Sequence, residues 1–441
     1  MQHLFGLFLI LGILLSSVWS RNVGNLAKDA VYNGELLMSN MSEPRGITFD
    51  PAGSLLVVSV QSQEVVALCE DDSGNFTKHT IINKTNLPPQ FTLNHGIAYF
   101  QNHLYLSNDT TTFRWPYYPG QVDLAPNEAQ RVIWNIGGGG HVSRTLLIRE
   151  SDGRLFVNVG SYRNVDPDSR RARVRYFDLG ADGDSWLENN PNGFDFQNGT
   201  VLADGVRNEC GLAIDQYENV WGVENGSDEL KRQDLGGDIH EWNPAEELNF
   251  FGGNGTNTAI NVAYGWPYCW TDYNLTLYRP DITERGNQWA WPDFMNNGVI
   301  SDAWCRNITN NKPPVLAMPA HSAPLDIKFY DGSGCGYSGG FSCDHTWDAF
   351  VSFHGSWNRD HPNGRKIVRI PFDSETGKPV GGISGELFDV WGEKDPGNCV
   401  GACFRPVGLA FDSQGRLYVS SDESSEIWRI TLDSSEASLS V

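Results

Sequence analysis

A short phrase that recurs along the chain constrains its fold more than any other feature. It begins with a strand of the type Gly-Leu-Ala-Phe-Asp, turns into a strand of the type Leu-Tyr-Val-Ser, and ends with a third strand of alternating polarity. The leading strand recurs in residues 46–50, 96–99, 143–148, 211–215, 325–329 and 408–412. Such repeats are typical of a ring of blades, because each small sheet buries its faces only against its neighbours. The sequence therefore predicts an all-β fold, a six-bladed β-propeller with four-stranded antiparallel blades and long loops over one face.

The ends of the repeat predict how the ring closes. Third strands are predicted at 173–176, 239–242, 366–370 and 427–430. The last copy ends at Ile430 with three strands, so we expect its outer strand to come from Val31 to Met38. A β-sandwich is the alternative, but it does not explain why the same phrase recurs.

The first residues predict export of the chain. Residues 1–20 contain a short apolar run followed by small residues, the pattern of a signal peptide. We expect residues 21–441 to form a single propeller domain that is secreted and extracellular, since no later run is long and apolar enough to cross a bilayer. Glycosylation sequons, which suit this address, start at asparagines 40, 75, 83, 108, 198, 225, 254, 274 and 307.

The cysteines and the net charge narrow the possible partners. The chain has 8 cysteines, which we expect to pair in an oxidising compartment. Proximity favours pairing 335 with 343, 399 with 403 and 269 with 305, which leaves Cys69 for Cys210. A zinc site is the alternative, although no CxxC pair is present. The net charge of −22 argues against nucleic acid and anionic membrane as partners.

A glycine run identifies one candidate catalytic residue. Residues 137–140 are all glycine and precede His141, just before the third leading strand. Glycines let the backbone adopt positive φ and leave the histidine uncovered. A histidine that titrates near neutrality is a natural general base for a hydroxyl proton. The alternative is a turn with an incidental histidine.

Arginines before the leading strands predict an anion site. They are Arg45, Arg144, Arg207 and Arg405. Guanidinium groups that face one channel in an acidic protein suggest a small polyanionic ligand held by bidentate contacts. Ordinary surface arginine is the alternative for each of them.

The stretch from Gly205 to Glu229 has the pattern of two short strands with polar residues at both outer ends. Carboxylates, an amide and glycine-exposed carbonyls in 224–229 suit a hard cation such as calcium. Asn225 is also a sequon, and it should be unglycosylated if it lines a channel. Aromatic residues in 264–270 and 353–359 predict stacking on a sugar or a planar cofactor, or else packing between blades.

Taken together, these motifs resemble a known family. Arg207-Asn208-x-x-Gly-Leu-Ala, the 224–229 stretch and Tyr-Gly-Trp-Pro at 264–267 resemble the soluble glucose/sorbosone dehydrogenases, six-bladed propellers that use pyrroloquinoline quinone (PQQ). Phrases at 117–121, 140–144 and 353–359 are closer to the secreted fungal-type branch, the PQQ-dependent pyranose dehydrogenases. The resemblance extends from Pro44 to Ile430.

The resemblance implies a catalytic domain that oxidises a sugar hydroxyl, a pyranose or keto-aldose, by hydride transfer to calcium-bound PQQ. His141 matches the catalytic histidine, and Arg207 and Asn208 match the pair at the quinone oxygens. The metal ligands that match are the carbonyls of Gly226 and Ser227, with Asp228 assisting through water. An external acceptor, a secreted cytochrome or a copper oxygenase, is expected to reoxidise the cofactor.

The arginines that would hold the PQQ carboxylates match the family less well. Arg405 matches a cofactor-binding arginine of the last blade, but bacterial members have a second arginine where Cys403 stands and a lysine near His354. Candidate substitutes are His354, Arg359 and Arg45. Most members also carry proline where Glu209 stands.

Two other functions fit part of the sequence. A calcium-dependent lactonase on a similar ring would need several carboxylates around a channel metal and no arginine set. A non-catalytic extracellular binding propeller would explain the sequons and disulfides, but it leaves the glycine run before His141 and the Arg207-Asn208 pair unexplained.

Overall fold

The computed structural model describes residues 32–167, 170–253, 262–397, 399 and 401–433. The expected signal peptide at 1–20 and the sequon at Asn254 lie outside these residues. The described chain forms six sheets that follow one another along the sequence. Each contains four antiparallel strands, and two of them carry one additional parallel strand. The predicted six-bladed propeller is therefore confirmed.

Each blade is numbered in chain order, from its innermost strand outward. Blade 1 contains Pro44–Phe49, Leu55–Ser59, Glu64–Glu70 and Phe76–Ile82; blade 2 contains Ile97–Phe100, His103–Ser107, Thr112–Pro116 and Gln130–Trp134. Blade 3 contains Leu146–Arg149, Arg154–Val159, Arg173–Asp178 and Thr200–Asp204; blade 4 contains Glu209–Ile214, Val220–Glu224, Glu246–Gly252 and Leu316–Met318. Blade 5 contains Pro324–Phe329, Ala349–Phe353, Lys366–Ile370 and Phe388–Gly392; blade 6 contains Pro406–Phe411, Leu417–Ser421, Glu426–Leu432 and Tyr32–Met38.

The remaining elements lie in the connections. Blades 2 and 3 each gain a short parallel fifth strand, Phe194–Asp195 and Val262–Ala263. Three small hairpins pair Lys231–Arg232 with Gly237–Asp238, Cys269–Thr271 with Gln288–Ala290, and Phe372–Asp373 with Lys378–Pro379. One turn of α-helix spans Asp302–Cys305. The 3-10 helices are Ser185–Glu188, Phe196–Asn198, Gln233–Leu235, His240–Trp242, Pro292–Asn297, Cys343–His345 and Gly382–Ser384. In the described part of the chain, no helix is long and apolar enough to cross a membrane.

The core lies between the blades because the second strand of each sheet is covered on both faces. Every residue of Leu55–Ser59 and of Ala349–Phe353 is buried, which explains why these strands are continuous rather than alternating apolar runs. Between blades 5 and 6, for example, Phe350, Trp391 and Trp428 pack in one cluster. This packing fixes each inner strand and therefore the loops at its ends.

The ring closes with the predicted N-terminal strand. Tyr32–Met38 pairs antiparallel with Glu426–Leu432, and Arg429 binds the carboxylate of Glu35 with a shortest N–O distance of 2.6 Å. A Cβ on Gly34 would lie 2.2 Å from the Trp391 ring, so only glycine allows this strand to approach blade 5. The prediction is confirmed for 32–38, whereas Val31 lies outside the described residues.

The predicted third strand of blade 4 is wrong. Residues 240–242 form a 3-10 helix, and the strand is Glu246–Gly252. The prediction rested on the apolar residues Ile239 and Trp242. The observed strand instead carries buried polar side chains, among them Glu246 and Asn249. A pattern search for apolar alternation passes over such a strand.

Three of the four predicted disulfides are present. They join Cys269 to Cys305, Cys335 to Cys343 and Cys399 to Cys403. The predicted pairing of Cys69 with Cys210 is wrong, since both thiols are free. Cys69 lies on the third strand of blade 1, whereas Cys210 lies on the innermost strand of blade 4 beside Leu325 and Val407. Pairing by elimination ignored this separation.

Candidate active site

A cavity of about 560 Å³ lies at the end of the ring where the inner strands begin. In each blade the start of the first strand and the end of the second lie at one edge, as shown by Glu209 opposite Glu224. The two polar ends of the 205–229 stretch therefore meet. The backbone N–H of Asn225 donates to the backbone carbonyl of Asn208 at 3.0 Å. The charged and polar lining comprises Arg45, His141, Arg207, Asn208, Asn225, Asp228, Glu246, His321, His354, Arg365 and Arg405.

Two buried arginines hold the glycine-rich loop that carries His141. Arg144 donates to the carbonyls of Gly137 at 2.6 Å, His141 at 2.7 Å, Ser143 at 2.8 Å and Asp109 at 3.1 Å. Arg144 is thus not among the cavity-lining residues, although it was predicted to face the ligand.

Arg171 is the second arginine that holds the glycine-rich loop. Its guanidinium donates to the carbonyls of Gly137 at 2.8 Å, Gly138 at 2.9 Å, Gly139 at 2.7 Å and Gly160 at 2.9 Å. Sequence reasoning missed this residue because it belongs to the next hairpin. The two side chains explain how a loop of four glycines keeps one shape.

A hydrogen bond holds the ring of His141 in one orientation. Its Nδ1 lies 2.9 Å from the carbonyl oxygen of Ser161, so Nδ1 carries the proton and Nε2 is left as an acceptor. Burial and, secondarily, the nearby Arg207 lower the pKa of His141 to about 4. The imidazole is therefore neutral at neutral pH, as a general base requires.

Arg207 is fixed by oxygen atoms from two loops. It donates to the Gly226 carbonyl at 2.6 Å, the Asp228 carboxylate at 2.8 Å and the Asn164 side-chain oxygen at 2.9 Å. The neighbouring Asn208 is buried, and its Oδ1 has no hydrogen-bond partner within the described chain. A buried acceptor without a partner is costly, so this atom needs a water molecule or a ligand to bind it.

Buried glutamates of blade 4 lie next to Arg207 and Asn208. Glu209, Glu224 and Glu247 lie in register across three strands of blade 4, and Glu224 accepts the backbone N–H of Arg207 at 2.5 Å. Burial raises the pKa of Glu209 and of Glu224 well above the usual range. Burial therefore disfavours the charged form of both carboxyls behind Arg207.

The predicted metal residues lie beside Arg207, with two further residues that sequence reasoning missed. Gly226 and Asp228 line the cavity, whereas Ser227 is buried and its hydroxyl accepts the Trp266 indole N–H at 3.1 Å. Glu246 accepts the Gly226 N–H at 2.6 Å, and burial raises its pKa to about 7.

His321, the second missed residue, has Nδ1 3.9 Å from the Asp228 carboxylate. Glu246 belongs to the strand that was misplaced, and His321 lies in a connection that carries no motif. The oxygen donors of Gly226, Asp228 and Glu246 suit a hard cation such as calcium.

The opposite side of the cavity is formed by blades 1, 5 and 6. Asp422 binds Arg45 at 2.6 Å and His354 at 2.9 Å, and Arg405 donates to the His354 carbonyl at 3.0 Å. The Nε of Arg45 is buried without a partner in the described chain. Burial lowers the pKa of His354, against the effect of Asp422.

Two more arginines follow His354 in the sequence, and the structure places them differently. Arg359 is not among the cavity-lining residues; it lies 3.4 Å from Glu241 and stacks over the Trp242 ring at 4.4 Å. Arg365, which sequence reasoning missed, does line the cavity. Trp357 lies at the same wall and is 72% exposed, so its ring face is available to a ligand.

Known proteins are similar to this chain in sequence and in fold over most of its length. A Coprinopsis cinerea "pyrroloquinoline quinone-dependent pyranose dehydrogenase" is 31% identical over 433 residues, which cover 93% of this chain. The alignment covers 54% of that relative, so the chain spans about half its length. A Hypocrea jecorina "pyrroloquinoline quinone-dependent sugar dehydrogenase" is 32% identical over 403 residues, 89% of this chain and 86% of the relative.

A solved structure agrees with these relatives. The calcium structure of the Trichoderma reesei carbohydrate-active enzyme of family AA12 superposes with a TM-score of 0.79 at 31% identity, covering 93% of this chain and 99% of that chain. The family model described as TrAA12-like matches residues 27–433. The chain therefore belongs to the TrAA12-like family.

Proposed function

We propose that this protein is a secreted quinoprotein oxidoreductase that oxidises a sugar hydroxyl, with PQQ and calcium as cofactors. The observation that carries the proposal is the pairing, in one cavity, of a neutral histidine with a free Nε2 and a fixed guanidinium, His141 and Arg207. The names of the Coprinopsis and Hypocrea relatives support the cofactor and the sugar substrate. The substrate class is a pyranose or keto-aldose.

The residues of the cavity fit PQQ. PQQ is a planar tricarboxylate, and Arg45 and Arg405 place cationic groups on the side formed by blades 1 and 6. The unpartnered Arg45 Nε and Asn208 Oδ1 are buried polar atoms that a polar cofactor would satisfy. The same cavity would suit an apolar ligand poorly, because these groups would lose water without gaining partners.

The other side of the cavity fits calcium. The carbonyls of Gly226 and Ser227 are the proposed ligands, and Asp228 would assist through water. Calcium would then share the Gly226 carbonyl and the Asp228 carboxylate with Arg207, which donates to both. Glu246 adds a carboxylate beside Gly226. The calcium structure of the Trichoderma AA12 protein supports this choice of ion. Bound calcium and PQQ supply a Lewis acid and a two-electron acceptor for the hydride.

The protein's own groups then have defined tasks. Nε2 of His141 accepts the proton of the sugar hydroxyl, while the Ser161 carbonyl holds the other nitrogen in its protonated form. Arg207 would place its positive charge beside the quinone oxygens, and its bonds to Gly226 and Asp228 hold the guanidinium in place. The exposed face of Trp357 offers a stacking surface at the cavity wall.

The proposal includes the context of the reaction. Reoxidation would use an external acceptor, a cytochrome or a copper oxygenase, while nucleic acid and membrane are not expected partners. Three disulfides support an oxidising, extracellular environment. We also propose that residues 1–20 are removed and that exposed sequons carry glycans.

Titration of the metal-free, cofactor-free protein with PQQ in calcium tests the proposal, followed by dye reduction on a panel of aldoses and ketoses. His141→Ala should bind PQQ normally and lose about 10²- to 10⁴-fold in turnover. The matched control is His79→Ala, on the outermost strand of blade 1, which should behave as wild type. Absence of PQQ binding by folded wild-type protein would reject the cofactor and favour a lactonase or a binding propeller.

A further inference from the structure

We propose that Arg365 is a cofactor-binding residue, which contacts a carboxylate of the quinone through a guanidinium edge that the protein leaves free. The inference rests on the proposed function, and it adds a residue that no sequence motif identified. Arg365 directly precedes the strand Lys366–Ile370 of blade 5 and lines the cavity together with Arg45 and Arg405.

The hydrogen bonds of Arg365 use only one of its nitrogens. Nη1 donates to the Pro396 carbonyl at 2.7 Å and to the Cys403 sulfur at 3.5 Å. Within the described residues, Nε and Nη2 make no hydrogen bond and no carboxylate lies within 4.0 Å of the guanidinium. The Nε–Nη2 edge is the geometry that binds a carboxylate with two parallel N–H bonds.

The other arginines of the cavity already have acidic partners. Arg45 pairs with Asp422 at 2.6 Å and Arg207 with Asp228 at 2.8 Å, and Arg405 lies 3.5 Å from the carboxylate of Glu423. Arg365 is therefore the arginine of this lining, within the described chain, whose charge is not balanced by an ion pair. An anionic ligand gains most from a cation whose charge is not already neutralised.

The backbone at this position also favours a specific role. Arg365 has φ of +55°, directly after Gly364 with φ of +80°. A residue with a side chain is strained in this region, where glycine is relaxed. Its carbonyl accepts the Glu393 N–H at 3.0 Å, so the backbone is also held in place. An arginine kept in a strained conformation beside a cavity points to a function of its side chain.

The experiment measures the Kd for PQQ in calcium by quenching of tryptophan fluorescence, without reference to turnover. Arg365→Ala should weaken binding about 10- to 100-fold, the usual effect of losing a charged hydrogen bond. Arg365→Lys keeps the positive charge but loses the two parallel N–H donors of the guanidinium. Its Kd for PQQ should lie between that of wild type and that of Arg365→Ala. Arg365→Gly relieves the backbone, so it should bind as weakly as Arg365→Ala without loss of thermal stability.

The matched control is Arg369→Ala, on the strand that follows Arg365; its guanidinium pairs with Asp348 at 2.6 Å and does not line the cavity. Its Kd should equal that of wild type. Wild-type affinity in both Arg365→Ala and Arg365→Gly would overturn the inference while leaving the proposed function standing. Failure of the wild-type protein itself to bind PQQ would overturn the proposed function, and this inference with it.

Discussion

Replacing Arg171 by methionine should reduce turnover, through the glycine loop before His141, more than it reduces the stability of the protein. Arg171 bonds four carbonyls at 2.7 to 2.9 Å, but Gly137 keeps its bond from Arg144 after the change. The carbonyls of Gly138 and Gly139 are half-buried and can bind water, whereas Gly160 is buried. Leaving the buried Gly160 carbonyl without its donor costs about 1–3 kcal/mol of stability.

The expected cost to catalysis is larger. Once these four bonds are lost, the loop before His141 can shift, and a displacement of about 1 Å at a reacting group can reduce turnover about 10²-fold. PQQ affinity should change little, because Arg171 does not line the cofactor cavity. The assay compares kcat with a reducible dye, at saturating PQQ and calcium, with the thermal unfolding midpoint.

Arg173→Met is the matched control for this experiment. Arg173 is also buried; it donates to the Asp204 carboxylate at 2.9 Å and to the main-chain carbonyl of Arg171 at 3.2 Å, but to no carbonyl of residues 137–140. It should lose a similar amount of stability and retain kcat. The reasoning would be refuted by a folded Arg171→Met protein with kcat within about threefold of wild type, or by an equal loss of kcat in Arg173→Met.

Three further predictions follow from the same site. His141 has its pKa lowered to about 4, so it stays unprotonated from neutral pH down to that value; kcat/KM should fall as pH approaches 4 rather than 6.5, and a loss centred at 6.5 would contradict this assignment. The pKa of Glu246 is raised to about 7, so below pH 7 calcium must displace a proton; calorimetry should show weaker binding as pH falls, and Glu246→Gln should flatten that dependence. Asn225 should carry no glycan, because its Nδ2 donates to the Pro324 carbonyl at 2.6 Å inside the cavity, whereas the exposed Asn307 should be modified; peptide mass spectrometry after deglycosylation distinguishes the two.

The sequence predicted the ring because its fold depends on a repeat, and a repeat is visible without any long-range information. It also predicted residues that enter the cavity directly from the start of an inner strand, such as Arg45, Arg207 and Arg405. These positions are fixed by one hairpin each, so local pattern is sufficient.

Residues whose role depends on a second segment could not be predicted in this way. Arg144 was expected to face the ligand, but its guanidinium donates to three carbonyls of residues 137–143 and to the Asp109 carbonyl, which lies in a loop of blade 2. Arg359 is held by Glu241, from the preceding blade, whereas Arg365 reaches the cavity from the next strand. Glu246 was missed because a buried polar residue interrupts the apolar pattern that identifies a strand.

The pairing of Tyr32–Met38 with Glu426–Leu432 has a consequence for the order in which the chain is made. Glu35 and Arg429 are 394 positions apart, so Tyr32–Met38 has no strand to pair with until Glu426–Leu432 has been synthesised. Closing a loop of that length costs about 5 kcal/mol in chain entropy for a flexible polymer, only slightly more than for a loop half as long. During synthesis the edges of blade 6 would be open to other chains, and a change that weakens this seam should raise aggregation of nascent protein before it affects the finished site.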